Sequence, residues 1–453
     1  MKEATVVGGG PVGLVSSVLL ASQGFKVLLL ERERELGGLM RSLPLIDGFE
    51  FDYGTRFAPR LDNPQIDLQL CNTSGDWLEF KHLLSGTFFA GKLQEGTAFL
   101  DVNGLPPSLV KAVERDYFSA RNKNLECHNA ENYVIDRFGT AALSYIFEPA
   151  LRKITGLSPG ELSPSVIQLY GLSRLLMFSA QRTRELKVED EHNERLAFHS
   201  RDEGLPTDPK RVFRYPRRGG IGLWTRRLEV IARRAGVVIR TGVSAKGIER
   251  LSDSSARLTL NDGSEITTSR LIWSIPGSLL LHAAGVLPPG APPRMTSGLT
   301  LFHFVFDQPP RSELFYITNY DPDFATYRVT LYTNVQGESV KKGLYHLTVE
   351  VIQNAWLTEP PTPEVIVREL LCMGVLAPNV RVLETAVTQI RQGFPLPTPD
   401  LAAQARSHDN LTKQLFPKAV ILGRGQTGIF FLRDALRECT RELSEEKLND
   451  CSK

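Results

Sequence analysis

The sequence is poor in cysteine, balanced in charge and without a long apolar run. Its 453 residues include five cysteines, at positions 71, 127, 372, 439 and 451. They are scattered, odd in number and never spaced as C-x-x-C, so we expect reduced thiols and neither a disulfide framework nor a metal site. Lysine and arginine total 53 against 51 aspartates and glutamates, a net charge of +2. This balance favours neither nucleic acid nor an acidic membrane surface as a partner.

Longer-range signals are also absent. No apolar run approaches ~18 residues, so no spanning membrane segment is expected. The opening Met1-Lys2-Glu3 leads directly into a β-branched run, which leaves no room for a signal or transit peptide. Together with reduced thiols, this predicts a cytoplasmic protein. The sequence shows no internal repeat, P-loop or Ser-His-Asp order, and its length corresponds to about three domains' worth of chain.

The strongest positive signal is a strand, a glycine turn, a helix, a second strand and an acid, all within the first 31 residues. In order, these are residues 5–7, 8–13, 14–21, 26–30 and Glu31. The turn reads G-x-G-x-x-G, and the whole arrangement is typical of a dinucleotide-binding βαβ unit. The glycine pattern alone would be weak. The alternative is a structural βαβ unit that binds nothing.

Each part of this unit has a physical role. Gly8 permits the tight turn, Gly10 lets the backbone approach a pyrophosphate, and Gly13 lets helix and strand pack closely. The N-terminus of the helix offers unpaired N–H groups and the positive end of a dipole to the phosphates. Glu31 stands where a ribose hydroxyl would need an acceptor.

The residues after Glu31 favour FAD over NAD. Residues 35–42 read E-L-G-G-L-M-R-S, and residues 49–57 read F-E-F-D-Y-G-T-R-F. These segments resemble the FAD-dependent amine oxidase and protoporphyrinogen oxidase superfamily, and are closest to its branch that looks like UDP-galactopyranose mutase. In that superfamily a Gly-Gly loop wraps the pyrophosphate and an arginine lies near phosphate and flavin. The resemblance places these roles on Gly37, Gly38 and Arg41; for Arg41 the alternative is a solvated surface arginine.

The resemblance continues along most of the chain. It is carried by Phe138-Gly139 and the segments at 147–156, 214–224, 393–397 and 423–434. This chain departs from the mutase-like pattern at several positions. Thr155 stands at the expected tryptophan, Phe394 and Pro397 replace two tyrosines, Leu432-Arg433 replaces Asn-Met, and Arg56 stands where that branch usually has histidine.

The resemblance implies the following cofactor-binding residues for FAD: Gly8, Gly10, Pro11, Val12, Gly13, Glu31, Arg32, Gly38, Leu39, Arg41, Val243, Gly423, Arg424, Arg433 and Asp434. Catalytic residues are left open, with Arg56 and Arg424 as candidates. Asp434 is expected to cap the final helix and to hold flavin or ribityl groups rather than to carry protons.

The implied fold is α/β, with two domains. A Rossmann-like FAD-binding domain with a parallel sheet and a β-meander would comprise residues 1–58, 212–285 and 385–445. An α+β substrate domain with a mostly antiparallel sheet would comprise residues 59–211 and 286–384. The active site is expected at their interface.

The implied function is that of an FAD-dependent oxidoreductase, an oxidase or dehydrogenase that removes a hydride from a C–N or C–C bond of a small-molecule metabolite to flavin N5. One alternative is a redox-neutral sugar-nucleotide mutase, which Gly423-Arg424 favours. Another is a non-catalytic flavin-binding protein or a member of a biosynthetic complex, which Arg56 and the lost Asn-Met pair favour. A monomer or a homodimer is expected.

Three further expectations concern the substrate side. An anionic substrate is a hypothesis, because arginine grips carboxylates and phosphates bidentately; the candidates are Arg56, Arg60, Arg214, Arg217 and Arg218. His303 and His346 lie in strand-like runs and are interpreted as sheet histidines rather than catalytic bases. Residues 184–211 are polar and are expected to form an exposed excursion, with a lid over the substrate as the alternative.

Overall fold

The structure is a computed structural model. It describes residues 2–71, 75–81, 84–120, 127–199, 212–252, 255–287, 296–336, 341–423 and 428–450, with side chains described to residue 444 in the last segment.

In chain order the strands are β1 (Glu3–Val7), β2 (Lys26–Glu31), β3 (Ser42–Ile46), β4 (Phe49–Asp52), β5 (Ala58–Pro59), β6 (Trp77–Phe80), β7 (Ser85–Phe89), β8 (Lys92–Gln94), β9 (Leu100–Asp101), β10 (Leu175–Leu176), β11 (Phe213–Pro216), β12 (Val238–Thr241), β13 (Ala245–Arg250), β14 (Ala256–Leu260), β15 (Glu265–Thr268), β16 (Leu271–Trp273), β17 (Gly298–Phe306), β18 (Tyr316–Asn319), β19 (Thr326–Leu331), β20 (Tyr345–Gln353), β21 (Val382–Ile390) and β22 (Val420–Ile421).

The α-helices are α1 (Pro11–Ser22), α2 (Pro64–Cys71), α3 (Pro107–Ser119), α4 (Ala130–Phe138), α5 (Thr140–Ala142), α6 (Glu148–Thr155), α7 (Ser165–Leu169), α8 (Ala180–Leu186), α9 (Asp190–Arg195), α10 (Gly222–Arg234), α11 (Gly277–Ala283), α12 (Tyr332–Gln336), α13 (Pro363–Cys372), α14 (Pro399–Leu415) and α15 (Leu432–Asp450). A π-helical turn, Leu143–Phe147, joins α5 to α6, and short 3₁₀ turns occur at Gly38–Met40, Val102–Gly104 and Pro159–Glu161.

A five-stranded parallel sheet carries the N-terminal unit. Its strand order is β12-β2-β1-β16-β22, and every pair in it is parallel. The short strands are almost continuously apolar because both faces of the sheet are covered, as parallel sheets require. On one face, Val6 and Leu29 join the core formed with α1, α10 and α15. On the other face, Val7 and Leu30 pack against the antiparallel meander β13-β14-β15 and α11.

Helix α15 packs on α1 although about 400 residues separate them in sequence. Leu436, Cys439 and Leu443 of α15 lie in the same buried core as the apolar side chains of α1. The Ser16 hydroxyl and the Cys439 thiol are 3.2 Å apart and hydrogen-bonded in this interface. The contact is therefore closely packed and includes a buried polar link.

A second, seven-stranded sheet has the order β21-β17-β20-β19-β18-β7-β8. Its pairs are antiparallel except β18–β7, which is parallel. Helix α13 covers one face, where Ile366 and Leu370 pack against Phe302 and Phe304 of β17. Helices α3 to α7 form a further core that includes Leu299 and Leu301 at the start of β17. The predicted fold class is confirmed, including the meander and the mostly antiparallel second sheet; the domain boundaries stay a prediction.

The predicted exposed excursion is confirmed for most of α9, where residues 190, 191, 193 and 194 are exposed, and is wrong for Arg195. Residues 200–211 lie outside the described residues, but Arg195 is only 1 % exposed. Its guanidinium lies 4.2 Å from the ring centre of Tyr117 and donates to the Glu191 carboxylate at 2.6 Å and the Arg137 carbonyl at 2.7 Å. The polar composition misled the prediction because one of the charges is buried with its partners.

Candidate functional site

The turn between β1 and α1 contains two glycines that have no room for a side chain. Gly8 has a φ of +104°, and a Cβ on it would lie 2.6 Å from the hydroxyl oxygen of Ser274. A Cβ on Gly13 would overlap the carbonyl oxygen of Gly8. At Gly10, by contrast, a Cβ would meet no heavy atom of the described residues within 4 Å. The described chain thus leaves open space beside Gly10.

The start of α1 borders this open space. Gly10 is the N-cap residue and makes no side-chain cap, and Pro11 occupies the first turn. The first N–H groups of a helix have no partner inside the helix, and they favour an anionic ligand. Val12 points the other way, into the core. The backbone of residues 10–13 is therefore arranged as an anion cradle.

Glu31 ends β2 beside the same turn. Its Oε2 accepts the N–H of Gly9 at 2.6 Å and its Oε1 accepts the N–H of Glu33 at 2.9 Å. The N–H of Val243 donates to the Glu31 carbonyl oxygen at 2.9 Å. These hydrogen bonds fix the carboxylate of Glu31 in place. Each of its oxygens has a further lone pair, so Glu31 can still accept a hydrogen bond from a sugar hydroxyl. Arg32 instead points to solvent and pairs with Glu33 at 3.2 Å.

The second glycine pair lies directly against the first turn. Gly37 and Gly38 both have positive φ, +108° and +55°, and a Cβ on Gly38 would lie 3.7 Å from the Cα of Gly10. Arg41 donates from Nε to the Gly38 carbonyl at 3.0 Å, and its guanidinium lies 5.6 Å from the ring centre of Tyr53. Arg41 is thus held against the loop rather than free in solvent. The structure brings the two glycine motifs together, as the resemblance implied.

Arg56 links this loop to the segment that follows β4. Its Nε donates to the Leu39 carbonyl at 3.3 Å and its Nη1 donates to the Thr55 carbonyl at 2.9 Å. The side chain is half-buried. The carbonyl oxygen of Leu39 therefore serves as an acceptor for Arg56. Arg56 in turn fixes the backbone at Leu39 and at Thr55, at the edge of the site.

Asp52 is a fully buried carboxylate under the same segment. It accepts hydrogen bonds from the Ser42 hydroxyl and the Tyr215 hydroxyl, both at 2.7 Å, and from the Ile221 N–H at 2.9 Å. Burial raises the pKa of Asp52 to about 6 despite these donors and the nearby charge of Arg56. Asp52 therefore ties β3, β4 and the 214–222 segment to one another.

The raised pKa of Asp52 predicts a pH-dependent stability. Because the folded pKa of about 6 exceeds the ordinary value of 3.8, the folded chain binds this proton more tightly than the unfolded chain. The contribution is fully present below pH 3.8 and is lost as the pH rises through 6, by about 3 kcal/mol in all. Urea unfolding of the wild type and Asp52→Asn at pH 4 to 7 should show a difference that changes over this window. A constant difference would contradict the prediction.

A second buried carboxylate, Glu350, lies on β20. It forms a two-point ion pair with Arg328 of β19, at 2.7 and 2.8 Å, and it also accepts the N–H of Thr55 at 2.9 Å. Glu350 is 0 % exposed, and the charge of Arg328 holds the pKa of that carboxyl below its usual range against the effect of burial. A Cβ on Gly54 would meet the Glu350 carboxyl carbon at 2.6 Å. The ion pair thus supports the loop that carries Thr55 and Arg56.

Aromatic rings surround Arg328. Its guanidinium lies 5.3 Å from the ring centre of Tyr327 and 5.6 Å from that of Phe394. Phe394 also contacts Tyr170, with ring centres 5.7 Å apart. The segment at 393–397 therefore reaches the same region as Glu350, with a phenylalanine where the mutase-like pattern has tyrosine.

The C-terminal segment returns to the glycine turn at Gly423. This residue has a φ of +91°, and a Cβ on it would lie 3.2 Å from the Ser274 carbonyl and 3.9 Å from a methyl carbon of Val12. Arg424, a candidate for both cofactor binding and catalysis, lies outside the described residues. Arg433 and Asp434 lie in the first turn of α15, where Asp434 complements the helix dipole. Asp434 comes two residues after the helix begins, and so is not its N-cap.

Two substrate-side positions, Thr155 and Arg214, differ from what the resemblance and the anion hypothesis would require. Thr155 is 1 % exposed, and its hydroxyl donates to the Leu151 carbonyl at 2.7 Å, so nothing at this position can stack on a substrate. Arg214 was a candidate anion ligand, but it is buried and paired with Asp67 at 2.7 Å and Glu79 at 2.6 Å. That hypothesis is wrong for Arg214, because two carboxylates of the chain already occupy the guanidinium.

His303 and His346 lie inside the second sheet, as expected. The ring nitrogens of His303 contact the hydroxyls of Thr348 at 2.9 Å and Thr388 at 3.3 Å. His346 stacks on Tyr332 with ring centres 4.8 Å apart. Burial lowers the pKa of both histidines to about 3, so both are neutral at ordinary pH and neither is arranged as a base.

Sequence reasoning missed three residues of this region. Ser274 follows β16 and donates its hydroxyl to the Val7 and Gly8 carbonyls at 2.9 and 3.0 Å. Arg328 and Glu350 form the buried ion pair. A signal for the pair was present, since one arginine and one glutamate interrupt two apolar strands that lie side by side. Ser274 has no comparable signal.

The described residues contain no group of three or more His, Cys, Asp or Glu side chains arranged to hold a metal ion. Nor does any helix among them have the length and apolar character that a membrane span requires.

The residues present fit a dinucleotide. Gly8 and Gly13 have no room for a side chain because of the protein's own packing, whereas the Cβ position of Gly10, between them, is open. The uncapped start of α1 and the carboxylate of Glu31 border the same space. This combination is typical of a Rossmann-like dinucleotide-binding unit. Residues 6–71 match the NAD(P)-binding Rossmann-like domain family.

Two curated relatives match the chain over short segments. A 4,4'-diapophytoene desaturase (4,4'-diapolycopene-forming) from Methylomonas sp is 38 % identical over 80 residues, which is 17 % of this chain and 16 % of that protein. An all-trans-retinol 13,14-reductase from Danio rerio is 44 % identical over 61 residues, 14 % of this chain and 10 % of that protein. The chain therefore matches less than a fifth of the length of either relative.

Solved structures match over nearly the whole chain. A reduced UDP-galactopyranose mutase has a TM-score of 0.74 at 17 % identity and covers 98 % of this chain and 95 % of its own. A provisionally assigned protoporphyrinogen oxidase from Exiguobacterium sp. has a TM-score of 0.66 at 17 % identity, with 99 % of both chains covered. Putrescine oxidase has a TM-score of 0.62 at 14 % identity, with 99 % of both covered. The resemblance read from the motifs is confirmed at the level of the fold.

Proposed function

We propose that the chain is an FAD-dependent oxidoreductase acting on a small-molecule metabolite. The single observation that carries the proposal is the open Cβ position at Gly10, placed between the uncapped start of α1 and the second glycine pair. An enzyme that binds NAD has no need for a second glycine loop with an arginine, whereas the resemblance assigns that loop to FAD. The matched relatives, a desaturase and a reductase, bear names of redox enzymes.

Each part of the site would hold one part of the cofactor. The backbone of Gly8 to Gly13 and the Gly37-Gly38 loop would hold the pyrophosphate, and Glu31 would accept from a ribose hydroxyl. Arg41, fixed on the Gly38 carbonyl, adds positive charge beside the phosphates. The first turn of α15 would face the end of the flavin where negative charge develops. Bound FAD would supply the acceptor for a hydride taken from a C–N or C–C bond.

Domain limits follow from the same proposal. The segments 1–58, 212–285 and 385–445 would form the FAD-binding domain, and 59–211 and 286–384 the substrate domain. Arg56, Glu350 and Phe394 would then lie where the two meet, and that interface would enclose the substrate and exclude water. A cytoplasmic location stays a prediction.

A redox-neutral mutase is the second candidate. The similarity to reduced UDP-galactopyranose mutase, with a TM-score of 0.74, and the Gly423-Arg424 pair favour it. The buried Thr155, at the position expected to stack on a nucleotide base, counts against it. A sugar-nucleotide binding titration separates the two, because only the mutase requires that ligand.

The visible spectrum of the purified protein tests the proposal first. Absorption bands at about 450 nm that bleach with dithionite and return rapidly in air would support an oxidase. Slow return would favour a dehydrogenase or the mutase. A protein that takes up no flavin after incubation with FAD would refute the proposal.

Arg56 gives a test of substrate charge. If the substrate is anionic, Arg56→Ala should raise its KM by about 10- to 100-fold, because a charged hydrogen bond contributes about 1.5–3 kcal/mol. Arg56→Lys keeps the positive charge but loses the bidentate guanidinium, so its KM should lie between those of the wild type and Arg56→Ala. Steady-state kinetics with carboxylate, phosphate and neutral substrates provide the measurement. Unchanged KM values for the anionic substrates would exclude this role.

A further inference from the structure

The second sheet ends in a long strand whose outer edge pairs with no other strand among the described residues. β21 spans nine residues and is the outermost strand beside β17. Its first four residues and Val387 are exposed, and Leu383 and Val387 are 45 % and 49 % exposed. Proteins usually protect such edges with short strands, lysines, prolines or bulges. β21 has neither lysine nor proline, and the pairing irregularity lies only at its start.

The exposed apolar side chains of β21 continue a buried surface. Val387 lies opposite Phe302 of β17, and Thr385 lies opposite Phe304, so these side chains share one face of the sheet. Helix α13 covers the phenylalanines on that face. The helix does not extend over β21, since Leu383 and Val387 remain half-exposed. An apolar strip thus runs to the edge of the sheet beside open backbone groups.

The sequence of β21 fits a second copy of itself. When two copies pair antiparallel about an axis perpendicular to the sheet at Thr385, Leu383 of each copy lies opposite Val387 of the other. Thr385 then faces its own copy, and such apolar and Thr–Thr pairs stabilise neighbouring strands. In this register Glu384 lies opposite Ala386, and Arg381 lies opposite Gln389. Arg381 is already paired with Asp307 at 2.7 Å. No two like charges are directly opposed.

We propose that β21 is the interface of a symmetric homodimer, in which two seven-stranded sheets join edge to edge through antiparallel β21 strands centred on Thr385. The pairing satisfies the outer N–H and C=O groups and buries Leu383 against Val387 of the other copy. It also steadies the segment that follows β21, which carries Phe394 to the Arg328 cluster. The inference stands independently of the proposed function.

Sedimentation equilibrium of the purified chain, with and without FAD, tests the interface. The wild type should dimerise, and Leu383→Lys and Val387→Lys should each lose the dimer, because they place a charge at the paired surface. Val188→Lys is the control, since Val188 is 83 % exposed and lies between α8 and α9, outside the second sheet. All three sites are exposed, and circular dichroism verifies that each variant folds. A wild type that stays monomeric, or a dimer that survives both β21 variants, overturns the proposal.

The register has its own test. Thr385→Cys, in a background with Cys372→Ser, should form a disulfide-linked dimer on mild oxidation, and peptide mapping should locate the bond at position 385. Val387→Cys in the same background is the matched control and should not link. A bond at 387 instead of 385 would overturn the register, and the failure of both variants to form a disulfide would overturn the edge-to-edge arrangement.

Discussion

Gly10→Ala should abolish tight flavin binding and leave the fold intact. No described atom lies within 4 Å of the position that the new methyl group would take, and Gly10 has a φ of −74°, which alanine adopts freely. The methyl group would occupy the space assigned to the pyrophosphate. Displacing a tightly packed ligand by one methyl group costs about 3 kcal/mol, so the Kd for FAD should rise ~100-fold.

The measurement is the ratio of flavin to protein after reconstitution, combined with the melting temperature of the apoprotein. Gly13→Ala is the matched comparison, because its methyl group would overlap the Gly8 carbonyl and should lower both flavin content and apoprotein stability. Gly247→Ala, in the β13–β14 pair, should leave the flavin content unchanged and lower the melting temperature only slightly, because its methyl group would lie 3.3 Å from the Cβ of Thr259. Normal flavin binding by Gly10→Ala would show that the open space is not where the cofactor lies.

Glu350→Ala should be among the most destabilising single substitutions in the chain. It would leave the Arg328 guanidinium buried without its carboxylate and would remove the acceptor for the Thr55 N–H. Removing one partner of a buried ion pair costs about 3–5 kcal/mol. Urea unfolding of the apoprotein at neutral pH measures the loss directly.

A double variant separates the ion pair from its surroundings. Arg328→Met combined with Glu350→Leu replaces both charges by apolar side chains, and it should recover most of the stability lost in Glu350→Ala, because no uncompensated charge remains. If the loop at Gly54 to Arg56 depends on Glu350 for its position, both Glu350→Ala and the double variant should bind FAD poorly. Equal stability of Glu350→Ala and the wild type would show that the pair contributes little.

The parts of this protein that sequence reasoning predicts best are those with local causes. The βαβ unit was predictable because the turn glycines, the helix and Glu31 all lie within 31 residues and each has a backbone reason. The histidines were predictable as sheet residues from their apolar neighbours. The alternation at 256–268 around Asn261-Asp262-Gly263 likewise predicted the hairpin that the structure contains.

The remaining features depend on contacts between distant segments. Arg195 and Arg214 look like solvated charges in the sequence, yet both are buried. The ring of Tyr117 and the carbonyl of Arg137 enclose Arg195, and the carboxylates of Asp67 and Glu79 pair with Arg214. The hydroxyl of Ser274 matters only because β16 lies beside β1. Neither propensity nor spacing contains that information, which arises when the parallel sheet assembles.

The pairing of α15 with α1 has a consequence for how the chain acquires its shape during synthesis. The first βαβ unit leaves the ribosome early, but the part of α1 that α15 covers stays exposed until residues 432–444 have also emerged. Until then the nascent N-terminal half exposes an apolar surface, and such a chain is prone to aggregation and to binding by chaperones. Contacts that span the sequence this widely also make for slow folding. Chains halted before α15 should therefore be retained by chaperones and cleared by proteases.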